Sequence, residues 1–208
     1  MSDIGLFDAI YSQRAITRYR SDPVPREAIE KVIEAATKAP SGGNTQPWHF
    51  VVITDRELVA RIGGIYRDKW LERRGAEAPA DEPAAYRAAR YLANHMPEAP
   101  ALILVCVVDH TKTYRPGTPG EPALRERLGS SIWLAAQNMF LAARGLGLGT
   151  RLTTTHTQCE QEIKDILGLP DYVETVALTP LGYPRGRFGP TDRKPASQVT
   201  SWNRWGGS

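Results

Sequence analysis

Cysteine is nearly absent from this chain: 208 residues hold only Cys106 and Cys159. Two scattered thiols supply neither a disulfide framework nor a zinc site. A chain of this length needs no such staple to bury a core, and one domain spanning residues 1–208 is expected. Long hydrophobic runs are missing as well. The longest, Ala101 to Val108, falls far short of the roughly 20 residues of a membrane helix. The opening Met1-Ser-Asp-Ile-Gly5 has no basic stretch leading into an apolar one, so no secretory leader is expected and the cytoplasm is the expected compartment. Charge is balanced too: 26 Lys and Arg against 23 Asp and Glu leave a net +3. With both signs interspersed, that argues against a nucleic-acid surface. The slight basic excess suits an anionic cofactor or substrate.

Signatures of side-chain catalysis are also lacking. His49, His95, His110 and His156 show no metal-ligand spacing, so no metal is expected. No Gly-x-Ser-x-Gly elbow is present. Gly145, Gly147 and Gly149 follow a helix instead of joining a strand to one, which excludes a dinucleotide or P-loop turn and leaves a helix stop. Such a chain can still be an enzyme if a cofactor carries the chemistry.

The periodicities give a coarse map. Residues 5–13 read as a short helix. Ile29, Val32, Ile33 and Ala36 mark an amphipathic helix that stops near Pro40. His49–Thr54 reads as a strand, followed by a helix carrying Leu58, Ile62 and Ile65. Residues 68–97 are charged and alanine-rich, broken by Gly75, Pro79 and Pro83, and read as a lid or mobile cover. Ala101–Val108 suggests a buried strand, and the segment Arg115–Pro122 a loop. Leu124–Arg144 reads as a long helix that is apolar on nearly every side across Ile132–Ala143, as befits a fold centre or a subunit interface. Thr157 and Glu160 form a capping-box pattern for a helix ending at Gly168. That places Cys159 in a first helical turn, where a thiol can be acidified or can be an ordinary half-buried residue. Val173–Pro180 is a third strand. Three strands that do not alternate with helices argue for an α+β sandwich.

Three separated segments carry chemistry. Arg14-Ala15-Ile16-Thr17-Arg18 holds two guanidiniums, whose forks match phosphate oxygens. Pro40-Ser41-Gly42-Gly43-Asn44-Thr45-Gln46-Pro47-Trp48 packs hydroxyl and amide groups between glycines that allow close backbone approach. Thr153-Thr154-Thr155 opens a third group, which resumes at Leu181-Gly-Tyr-Pro184 and Asp192-Arg193-Lys-Pro195.

In this order the segments resemble the FMN-dependent nitroreductase family and its iodotyrosine deiodinase relatives. The resemblance runs from Arg14 to Arg193. It implies a three-layer α-β-α sandwich with a mostly antiparallel central sheet, in a homodimer with a domain-swapped C-terminal tail. It implies FMN at the interface, with NAD(P)H as electron donor. Hydride would pass in ping-pong fashion to a nitroaromatic, quinone or enone, with no catalytic side chain of the protein's own. Arg14 and Arg18, with Ala15 and Ile16 between them, correspond to positions at the FMN phosphate and the polar edge of the ring. Where the family has serine this chain has Ile16, leaving only its backbone N–H for the phosphate. Pro40, Ser41, Gly42 and Asn44 correspond to contacts reached from the partner subunit, and Gln46 to a loop-holding position. Thr153, Thr154 and Thr155 match the stretch beside flavin N5, and Arg193 matches a late phosphate-binding arginine. Reductive dehalogenation, flavin destruction and non-catalytic flavin carriage remain alternatives. The lid residues Tyr66, Lys69, Glu72 and Tyr86 bear on the first, but Ala93-Asn-His-Met96 lacks the lysine that deiodinases use.

Overall fold

The computed structural model describes residues 4–109 and 124–207, with side chains in the second stretch from Leu128 onward. The expected loop Arg115–Pro122 and His110 lie outside these residues.

Ten elements follow one another: α1 (Leu6–Ser12), α2 (Arg26–Thr37), β1 (Trp48–Ile53), α3 (Arg56–Arg74), α4 (Ala84–His95), β2 (Ala101–Val107), α5 (Leu124–Gly145), β3 (Gly149–Thr150), α6 (Glu160–Leu167) and β4 (Glu174–Gly182). The strands form a single antiparallel sheet in the order β1-β2-β4-β3. β2 is apolar throughout because both its faces are covered. Ala101, Ile103, Val105 and Val107 meet α2 and α5. Leu102, Leu104 and Cys106 meet α3, α4 and α6. The result is the expected three-layer α+β sandwich, with one core on each face of the sheet.

Several local expectations change. The sheet has four strands, not three: β3 is two residues long and has no period to read. Residues 68–97 are not a mere cover, because Trp70, Leu92, Ala93 and Met96 are buried in the second core. The breaks fall where expected, with α3 ending at Gly75 (φ 79°) and Pro83 preceding α4. Arg90 closes the hairpin by bonding Glu82 through Nη2 (2.7 Å) and the Gly75 carbonyl through Nη1 (2.6 Å).

The capping box does not form. The Thr157 hydroxyl donates to the Thr154 carbonyl, while Glu160 accepts the Thr175 N–H at 2.6 Å and ties α6 to β4. Cys159 sits just before α6, not in its first turn. Burial, with Glu162 adding to it, pushes its thiol up to about 11, so it is not acidified. Cys106 is a core residue, pushed up to about 12 by burial.

α5 is apolar outward as well as inward. Ile132, Ala135, Ala136, Met139 and Ala143 face the core, while Trp133 and Leu134 are 42% and 48% exposed. No helix among the described residues is long and apolar enough to cross a membrane.

Candidate functional site

The segment 14–18 is held at the β3 edge of the sheet. Ala15 forms a parallel bridge with Thr150, and the Ile16 N–H donates to the Thr150 carbonyl at 2.9 Å. The backbone donor expected to replace the lost serine is therefore already used by the sheet. The chain then crosses the paired Gly149 and Gly182 and reaches the stretch just after β4, where Tyr19 bridges to Pro184. Its hydroxyl donates to the Ile16 carbonyl at 2.8 Å, and burial raises its pKa.

The two arginines meet different elements. The Arg18 guanidinium lies 3.8 Å above the Tyr91 ring of α4, and Tyr91 is stacked on His95 at 4.0 Å. Arg14 lies beside the tail, its Nη1 3.9 Å from where a Cβ on Gly189 would stand. That tail returns to the end of α1, where the Thr191 N–H donates to the Tyr11 carbonyl at 3.2 Å. Arg14 stands three residues from this contact and Arg193 two. Arg193 is exposed and bonds its neighbour's carbonyl, Asp192, at 2.7 Å. The Thr191–Tyr11 contact thus brings the stretches carrying Arg14 and Arg193 to one corner.

Sequence reasoning missed the residue that braces this corner. Arg144, at the end of α5, donates to Ser12 Oγ at 2.8 Å and lies 4.1 Å over the Phe188 ring. Its signal was a lone charge following the apolar run Ile132–Ala143. Tyr91 was missed too, since nothing local marks it as the platform for Arg18.

Thr153 belongs to the ladder: its carbonyl accepts from Leu178 N at 3.0 Å, and its hydroxyl donates to the Leu178 carbonyl. A short 3-10 turn starts at Thr155. The amide of Thr154 therefore belongs to neither element, and that of Thr155 sits in a first turn, where N–H groups lack an intrahelical acceptor. Thr153 and Thr155 are buried and Thr154 is exposed.

The loop 40–46 lies elsewhere. It is built on Ser41, whose carbonyl accepts from Asn44 N (3.0 Å) and whose hydroxyl accepts from Gln46 N (2.9 Å). Gly43, Asn44 and Gln46 all have positive φ (56°, 53°, 49°), a conformation uncommon for a non-glycine residue. Gly42, Asn44 and Gln46 are exposed along with Pro40. The Gly42 N–H meets Ser131 Oγ at 3.4 Å. Ser131 and Arg144 are thirteen residues apart on α5, about 20 Å at the helical rise. The strands agree. Trp48 pairs with Val107, whereas Thr150 pairs through Leu181 to Ala101. The six steps along β2 from Ala101 to Val107 again span about 20 Å. Within one chain the loop and the arginine corner stand at opposite ends of the sheet.

Among the described residues no group of His, Cys, Asp and Glu is placed to hold a metal. What the fold defines is a three-layer sandwich with exposed arginines at the sheet edge that also carries the Thr153–Thr155 turn. A model of the Nitroreductase family matches residues 10–183, and the chain belongs to that family. It is 30% identical over 199 residues to iodotyrosine deiodinase 1 of Rattus norvegicus, covering 93% of this chain and 67% of that protein. It is 28% identical over 220 residues to an NADH dehydrogenase of Thermus thermophilus, covering 93% and 94%. A crystal structure of oxidized iodotyrosine deiodinase bound to FMN and 3-iodo-L-tyrosine superposes with a TM-score of 0.71 over 96% of this chain and all of that one. At 23% identity that likeness is one of fold.

Proposed function

We propose that the chain is an FMN-dependent oxidoreductase that takes electrons from NAD(P)H and reduces small acceptors such as nitroaromatics, quinones or enones. One observation carries the reading: the stretches carrying Arg14 and Arg193 come together at the end of α1, on the sheet edge that also carries the Thr153–Thr155 turn. The donor set fits FMN. Two guanidinium forks with no carboxylate within 4 Å among the described residues suit its phosphate, and the backbone N–H groups of Thr154 and Thr155, at the start of the turn, suit a ring atom that needs a donor. Once bound, FMN supplies the two-electron chemistry that the side chains lack. The protein holds and orients it: the sheet pins Ile16, Arg144 braces α1 against α5 and the tail, and Thr153 fixes the turn to β4. Ile16 then contributes packing, not a phosphate contact.

The same reading includes a homodimer whose sites need both chains. Ser41–Gln46 is too far from its own arginine corner to serve it, but its exposed, internally bonded form suits contact with a partner. Leu6, Phe7, Ile10 and Tyr11 on α1, with Trp133 and Leu134 on α5, form exposed apolar surface that an interface would cover. β1 is an edge strand, and beside it runs a groove of about 540 Å³ lined by Val24, Ile29, Ile33 and Val52. In this reading the partner's tail, with its exposed Val199, Trp202 and Trp205, lies in that groove.

General acceptor reduction is preferred to dehalogenation because the grip for an amino-acid substrate is not assembled. Tyr66 is buried, Lys69 is paired with Glu72 at 2.8 Å, and Arg74 covers Tyr86 at 4.5 Å. The purified protein should be yellow, release roughly one FMN per chain on denaturation, and oxidise NADH or NADPH with a quinone. Colourless protein that takes up no added FMN would defeat the proposal. Yellow protein that neither nucleotide bleaches would favour a flavin carrier.

A further inference from the structure

A second basic recess, of about 250 Å³, opens beyond Tyr19, away from the corner formed by Arg14 and Arg193. Three arginines line it. Arg20 is neutralised by a two-point pairing with Asp22 (2.7 and 2.8 Å). Arg56 and Arg185 are different: among the described residues neither has a carboxylate within 4 Å. Each is instead pinned by a backbone carbonyl of the recess wall, Arg56 Nη1 to Ala99 at 2.7 Å and Arg185 Nε to Tyr19 at 2.8 Å.

A guanidinium has five N–H donors, so each of these keeps most of its fork unused while being already oriented. Two pre-oriented forks in one small recess match the oxygens of a single carboxylate or phosphate. The lining carboxylate, Glu98, leaves the recess net positive once Arg20 and Asp22 cancel. Its wall also joins the proposed flavin segment. Tyr91 and His95 line it, and Arg18 lies on Tyr91.

We infer that this recess, through Arg56 and Arg185, binds one anionic group, a carboxylate or a phosphate, carried by the electron donor or the acceptor. The identity of the bearer rests on the flavin reading; the anion site itself does not.

The test is calorimetry at fixed ionic strength on FMN-loaded protein, with two ligand pairs. ADP-ribose 2′-phosphate against ADP-ribose reports a phosphate on the donor. 4-Nitrobenzoate against nitrobenzene reports a carboxylate on the acceptor. In one pair the member with the additional anionic group should bind about tenfold more tightly, the scale of one charge-assisted hydrogen bond. Arg185→Gln and Arg56→Gln should each abolish that preference while leaving the affinity of the member without the added group and the FMN content unchanged. If one variant does not fold, the other decides. Equal affinities within both pairs, or a preference that survives the substitutions, would overturn the inference. So would loss of FMN with the preference, since the recess would then belong to the flavin phosphate. A protein that takes up no FMN defeats the flavin reading alone, because the affinity ratios can still be read on the apo chain.

Discussion

Gly149 and Gly182 face each other across β3 and β4, and the segment carrying Arg14 and Arg18 crosses the sheet on this pair. A Cβ on Gly149 would stand 2.7 Å from Ile16 Cγ1. One on Gly182 would stand 2.7 Å from Pro100 Cγ and 3.1 Å from Tyr19 Cδ1. Gly149→Ala and Gly182→Ala should each lower stability by about 1–3 kcal/mol, as overpacking does, and weaken FMN uptake. Gly145→Ala, where nothing lies within 4 Å, is the control. Denaturant melts and flavin titration of the three variants check this, and equal FMN binding in all three would show that the segment's path does not matter.

Arg193→Ala should weaken FMN binding roughly ten- to a hundredfold, the effect of losing a charge-assisted hydrogen bond of about 1.5–3 kcal/mol. Arg20→Ala should leave it unchanged, because Arg20 is already paired with Asp22. Fluorescence titration with FMN compares them. Indistinguishable dissociation constants would remove Arg193 from the phosphate site.

Leu134→Glu tests the shared site. Leu134 is exposed on the single chain, so the fold should survive, whereas an unpaired carboxylate buried in an interface is strongly unfavourable. The expected product is a folded monomer without flavin, read by light scattering with flavin absorbance. A monomer retaining tightly bound FMN would place the whole site within one chain.

Both thiols should be inert in the native protein. Burial raises Cys106 to about 12 and Cys159 to about 11, so hardly any thiolate exists at pH 8. A disulfide reagent should titrate both only after denaturation, and rapid labelling of Cys159 in the native state would contradict its position.

The Arg90–Glu82 pair should make stability acid-sensitive. The Arg90 hydrogen bond holds the Glu82 carboxyl below its usual range. Its stabilising effect is thus present above the ordinary carboxylate pKa and lost as pH falls through the depressed native value. Glu82→Gln should melt lower than the parent at neutral pH, and the gap should narrow as the buffer is taken down to about pH 3. A constant gap across that interval would mean that the charge of Glu82 does not contribute.

Much of the fold was legible in local sequence. A 3.6-residue period marks α2, an unbroken apolar run marks β2, and Gly75, Pro83 and Gly168 mark helix ends, since each signal depends on neighbours a turn away. The order of the motif segments was enough to indicate the family. What required the tertiary structure depends on contacts between distant residues. β3 is a strand only because β4 lies beside it. Glu160 ties α6 to β4 through the Thr175 N–H instead of completing a capping box. Ile16 loses its expected role because the Thr150 carbonyl takes its N–H. The sequence sets Arg14, Ser41, Thr154 and Arg193 in one series, yet the structure divides them. The stretches carrying Arg14 and Arg193 come together where the tail returns to α1, while the Ser41 loop stands at the far end of α5, about 20 Å away. No local pattern encodes that separation, because it arises from the direction in which α5 and the sheet carry the chain.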